Sequence, residues 1–169
     1  MNSLPIICLI PACLTIQGCA TPIPVLPAVE SIKGDTAQLV VLIHGLEEDE
    51  GQISMTCRTN GPEWPTGEGA EYVRVIPVSG HDGMIEILIE DVPCGIYAIS
   101  LFHDVNADND MNRSVIGLPL EPWGMSNNAI GMMSAPSFEQ ASFVINAPRT
   151  LVELDLRRGI TLQPRAPVL

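Results

Sequence analysis

From Asp35 onward the hydrophobic positions recur every second residue instead of every third or fourth. In Gln52-Ile53-Ser54-Met55-Thr56-Cys57-Arg58 apolar and polar side chains alternate strictly, the pattern of a strand with one buried face, and Cys57 falls on that face. Met84 to Glu90 sets Ile85, Ile87 and Ile89 against Glu86 and Glu90, and Leu151 to Leu156 alternates in the same way. Gln38 to Leu46 is a nearly continuous apolar run, suited to a central strand. Tyr72 to Val78, Ile96 to His103 and Ser142 to Ile145 bring the predicted total to about seven strands. Turn signals separate them at Asp49-Glu50-Gly51, Ser79-Gly80-His81-Asp82-Gly83, Pro93-Cys94-Gly95 and Asn146-Ala147-Pro148. The pattern predicts an all-β chain, a single β-sandwich over residues 36–157, with a tail over 158–169.

Two segments interrupt the rhythm. Thr59 to Glu71 is a Gly/Pro/Glu-rich excursion around Trp64. Asp104 to Phe138 is far longer than the usual connection between strands. Leaving it disordered would put Trp123, Met125, Ile130, Met132 and Met133 in water, so one long ordered loop packed on an end of the sandwich is expected.

Residues 1–18 do not read as part of the domain. Ile6 to Ile16 has the length of a signal-peptide core, too short to span a bilayer, although no Lys or Arg precedes it. It runs into Ile16-Gln17-Gly18-Cys19-Ala20, which resembles a bacterial lipobox: a small residue before a cysteine that is acylated and becomes the amino terminus. A multiply acylated Cys19 anchors stably to a membrane, and Ala20 fits an outer-membrane lipoprotein facing the periplasm. Residues 19–35, with Thr21-Pro22-Ile23-Pro24-Val25-Leu26-Pro27, form a stiff Pro-rich tether. Once Cys8 and Cys13 leave with the signal and Cys19 takes lipid, Cys57 and Cys94 remain, an even pair that permits one disulfide in an oxidising compartment. The alternative is two free thiols packed as small apolar residues.

Composition narrows the picture. At 169 residues and 46% hydrophobic the chain can bury a sizeable core, and with only 4% aromatic residues that core is built from aliphatic side chains. A net charge of −12 repels phosphate backbones, so nucleic-acid binding is not expected.

The candidate chemistry lies in the long loop. Asp104, Asn106 and Asp108 stand at positions one, three and five of an EF-hand-like calcium loop, with Asp110 at seven and Asn109 where glycine is usual. Position twelve is Val115, so Glu121 would have to fold back to supply the missing carboxylate, and calcium affinity would be loose. The same residues also suit Asx-turns that need no metal. Trp123 is suited either to stacking on a sugar or to core packing, with no second aromatic nearby in the sequence. Ser126, Asn127 and Asn128 suit ligand contact or a left-handed, self-bonded backbone. Gly124-Met125-Ser126-Asn127-Asn128 is one residue short of a nucleophile elbow, and His103 and Asp104 on an extended strand point to opposite faces. His103 is therefore expected to pin the loop to the rim.

The series Gly95-Ile96-Tyr97-Ala98, His103-Asp104-Val105-Asn106, then Gly117-Leu118-Pro119-Leu120-Glu121-Pro122-Trp123-Gly124-Met125-Ser126-Asn127-Asn128, and Ala135-Pro136-Ser137-Phe138 resembles the exported bacterial family known as domain of unknown function 2141, over roughly Leu39 to Leu156. The resemblance implies a transthyretin-like or carbohydrate-module-like β-sandwich outside the cytoplasm and no particular activity. Asn112 stands where the family pattern tends to carry a carboxylate. The expectation is a lipid-anchored binding or structural module of the cell envelope for a small-molecule, sugar or protein ligand. The competing expectation is a hydrolase with its site in the 104–138 loop.

Overall fold

The computed structural model describes residues 35–66, 68–81, 83–131 and 134–159. The expected signal peptide, Cys19, the expected tether up to residue 34, Met132, Met133 and the tail from residue 160 lie outside the described residues. Eight strands and one short helix follow in the order β1 (Thr36–His44), β2 (Gln52–Arg58), β3 (Tyr72–Pro77), β4 (Met84–Pro93), β5 (Gly95–Asp104), β6 (Trp123–Met125), α1 (Phe138–Ala141), β7 (Phe143–Ile145) and β8 (Arg149–Asp155).

They form two sheets. One is three-stranded, β4-β1-β8, and the other runs β3-β2-β5-β6 with β7 added to β5. Strand β1 is antiparallel to β4 and parallel to β8. Between the sheets Leu39, Val41, Ile43, Ile85, Ile87, Ile89, Val152 and Leu154 meet Ile53, Met55, Cys57, Ile99, Leu101 and Ile145, all buried. The alternation seen in the sequence is thus the inward face of a β-sandwich. The continuous run in β1 has a separate cause: Val40, on the outward face, is 1% exposed because it lies in register between Leu88 and Leu151 of the flanking strands.

Three expectations change. The strands number eight, since Trp123–Met125 inside the long loop pairs with Ser100–Phe102 of β5. The same loop ends in α1, whose Ser137 and Gln140 make a reciprocal capping box. The disulfide does not form: Cys57 and Cys94 are both free thiols. Cys57 stands opposite Ile99, and Cys94, just before β5, is five residues from Ile99, about 16 Å at about 3.3 Å per extended residue. That is well beyond the reach of roughly 7 Å between α-carbons that a disulfide allows. At the carboxyl end, Arg158 pairs with Glu47 and Glu48 at the surface of the domain.

Candidate functional site

The aspartate-rich turn is built on the end of β5. Asp104, fully buried, accepts the Asp108 N–H on one oxygen (3.1 Å), and on the other the Asn109 N–H and the Gln52 side-chain amide (both 2.8 Å). Asn106 Oδ1 accepts the Asp108 N–H and Asp108 Oδ1 accepts the Asp110 N–H, successive Asx-turns of the kind these residues favour. Asp108 Oδ2 takes the side-chain amides of Asn106 (2.7 Å) and Asn112 (3.1 Å). The N–H of Asp110, then the amides of Asn112 and Asn106, hold the Asp108 carboxyl below its ordinary value. Ala107 and Asn109 adopt positive φ of 56° and 67° to make the bends. Gly51 must be glycine here, since a β-carbon would stand 2.2 Å from the Asp104 carbonyl oxygen. Glu121 does fold back, but onto backbone: it is 5% exposed and accepts the N–H groups of Val105 and Asn112. Among the described residues, no group of three or more His, Cys, Asp or Glu side chains is arranged to hold a metal ion.

His103 is fully buried on the opposite face of β5 from Asp104. Its Nε2 lies 2.7 Å from the Glu50 carbonyl oxygen, so Nε2 carries the proton and donates, tying the β1–β2 connection to the rim. Ser126 is also fully buried; its hydroxyl accepts the Ile99 N–H (2.9 Å) and donates to the Ala141 carbonyl. Asn127 and Asn128 take φ of 59° and 50°. Asn127 donates to the Ser142 carbonyl (2.7 Å), while the Asn128 amide donates to the Asp155 carboxylate and its oxygen accepts the Asp155 N–H. These three residues sew the loop to β5, α1 and β8. Ser126 sits at the level of Ile99, about 13 Å along the strand from His103, and the two are not brought together.

What the loop encloses is a groove on the outer face of the larger sheet. Register places two rows of side chains across that face: Val75–Ser54–Phe102–Trp123 and Val73–Thr56–Ser100–Met125. The Thr56 and Ser100 hydroxyls bond each other at 2.9 Å, and Ser100 donates to the Pro65 carbonyl at 2.7 Å. At one end stands the 59–71 excursion. Buried Arg58 holds it by donating to the Thr66 and Glu68 carbonyls (both 3.0 Å), and Trp64 packs edge-on against Phe138 at 5.8 Å. At the other end stand the Asp/Asn turn and a small hairpin bridged between Arg113 and Pro119, with Gly117 at φ 83° in its bend. The enclosed volume is about 500 Å³, within the range of small-molecule sites. Trp123 is held in place by its Nε1–H, which donates to the Gly159 carbonyl at 3.1 Å.

A family model described as an uncharacterized protein conserved in bacteria (DUF2141) matches residues 41–153, more than half of the chain. The chain belongs to this family. No curated protein and no solved structure matches it. The DUF2141 match runs from within β1 to within β8 and spans every residue lining the groove.

Of the residues singled out in the sequence, Trp123, Asn109 and Asp110 line the groove; His103, Ser126, Asn127 and Asn128 support the structure around it. Sequence reasoning missed Ser54, Thr56, Ser100 and Phe102. A signal was present. The outward positions of β4 carry Glu86 and Glu90, ordinary solvated charges, whereas those of β2 and β5 carry short hydroxyls and a phenylalanine. Short side chains leave room above a sheet, and an aromatic there needs a cover.

Proposed function

We propose that the protein is a lipid-anchored, extracytoplasmic binding module of the bacterial envelope whose working surface is the groove on the outer face of the β3-β2-β5-β6 sheet. The groove itself carries this reading. Both long irregular segments contribute residues over one sheet face, and together with it they enclose about 500 Å³, where protein interiors are otherwise close-packed. The apolar run ending at Cys19 and the proline tether support the anchor. A module is favoured over a hydrolase because the Ser126 hydroxyl is committed to backbone inside the fold and the His103 ring to Glu50.

The test is a fragment screen on the purified protein, followed by backbone amide shifts. Binding that perturbs Ser54, Thr56, Ser100 and Trp123 supports the reading. Fragments that bind only elsewhere, or none that bind, defeat it.

A further inference from the structure

We propose that the groove takes a short neutral oligosaccharide, which stacks on Trp123 and Phe102 and is oriented by Ser54, Asp110 and Arg113; this rests on the groove being the binding surface. Phe102 is the second aromatic that the linear sequence conceals. Register sets it directly across the β5–β6 pair from Trp123, and both rings line the same space. A sugar ring presents an apolar C–H face and a rim of hydroxyls that both donate and accept. The groove offers the matching set. Two aromatic surfaces lie on one side of its floor, the Ser54 hydroxyl beside them, and an acceptor and a donor, Asp110 and Arg113, at its edge.

Charge selects against the alternatives with phosphate or carboxylate groups. The chain carries −12 overall, and at the end of the groove formed by the acidic turn Asp110 lines the space, with Asp108 two residues away in the same turn. An extended peptide adding a strand would use the outer edge of β3, unpaired among the described residues, and that edge is blunted at two positions. Arg74 donates to the Val73 carbonyl at 2.9 Å, and Pro77 has no N–H to offer. Val73, half exposed, lines the groove on its β3 side, where it meets solvent. Four strands at about 4.8 Å spacing give a floor roughly 14 Å across, enough for a few linked rings.

The experiment titrates the purified protein with neutral trisaccharides of gluco, galacto, manno and N-acetylglucosamine configuration. A uronic-acid trisaccharide and a valine-rich hexapeptide serve as comparators, and tryptophan fluorescence and saturation-transfer NMR are the readouts. At least one neutral trisaccharide is expected to bind, with the uronic acid and the peptide at least tenfold weaker. Trp123→Ala should weaken that binding by about tenfold or more. Asp110→Ala, an exposed position whose loss leaves the core intact, should weaken it severalfold. If every neutral trisaccharide fails while fragments still map to the groove, this inference is overturned and the binding-surface reading stands. Tighter binding of the peptide or the uronic acid, or a bound trisaccharide indifferent to both substitutions, also overturns it.

Discussion

Glu121 accepts the backbone N–H of Val105 at 3.1 Å, sixteen residues upstream, and with its other oxygen the N–H of Asn112 at 3.0 Å. One buried carboxylate thus closes the aspartate-rich turn near both ends. Truncation to alanine strands two N–H groups in a site from which water is largely excluded. Glu121→Ala should lower stability by about 2–4 kcal/mol, and Glu121→Gln, which keeps one acceptor, by about 1–2 kcal/mol. Urea unfolding reads both; equal losses for the two variants would mean that the hydrogen bonds do not matter.

Asn112 donates its side-chain amide to Asp108 Oδ2 at 3.1 Å, in a place where a cation would otherwise relieve the carboxylate. Asn112→Asp replaces that donor with a second negative charge. The variant should melt a few degrees lower than the wild type in chelator and recover in millimolar calcium. The wild type, whose Asp108 is already supplied with N–H donors, should shift little. Thermal melts with and without calcium decide this, and a large calcium-dependent rise in the wild type would contradict the expected indifference and show that the loop holds the cation.

The pH dependence has a definite sign on each flank. Amide donors hold Asp108 low; for Glu71 burial pushes upward, but the hydrogen bonds from Thr59, its own N–H and the charge of Arg58 together leave the carboxyl below its ordinary value. Such groups stabilise the fold above their unfolded pKa of about 4, and this contribution is lost as pH falls through the depressed folded values. On the alkaline side, burial and then Glu71 push the Cys57 thiol up to about 12, and burial, followed by Tyr72 and other neighbours, pushes Tyr97 up to about 12. Their contribution is complete below the unfolded values, about 8.5 for the thiol and 10 for the phenol, and is lost as pH rises toward 12. Denaturation midpoints should therefore form a plateau that falls below about pH 4 and above about pH 9. A midpoint that climbs on either flank contradicts the assignment.

The same burial governs thiol chemistry. Cys57 is fully buried with its thiolate disfavoured, and Cys94 is half-buried in the turn between β4 and β5. Iodoacetamide at pH 8 should modify Cys94 in the native protein and reach Cys57 only after denaturation. The intact mass of the non-reduced protein should match two free thiols at these positions; a mass two hydrogens lower would restore the disulfide.

Cys19→Ala should leave an unprocessed, full-length precursor in the membrane fraction, without the mass of added acyl chains. A variant that is cleaved and fractionates like the wild type would remove the anchor from the proposed function.

Strands β2 and β4 were legible because each buries one face, so period two survives in the sequence at Ile53-Met55-Cys57 and Ile85-Ile87-Ile89. Strand β6 was hidden because three residues, Trp123-Gly124-Met125, are too few to show a period. Gly124 there reflects close approach, a β-carbon meeting the Asp155 carbonyl oxygen at 3.0 Å. The structural use of Ser126, Asn127 and Asn128 followed from the backbone habits of those residues. The groove did not, because it depends on which outward-facing residues share a row, and that is set by pairing between strands far apart in the chain, such as Ser54 with Phe102.

Strand β1 lies at the centre of the three-stranded sheet, and one of its two neighbours, β8, is the last strand of the described domain. The first of the described strands must therefore wait for the last of them before its second edge is covered. A nascent chain with this order cannot complete its smaller sheet until nearly all of the domain has emerged from the ribosome. Under the export proposed above, that order would leave the smaller sheet incomplete until the chain had crossed the membrane, so that the sandwich closes on the far side.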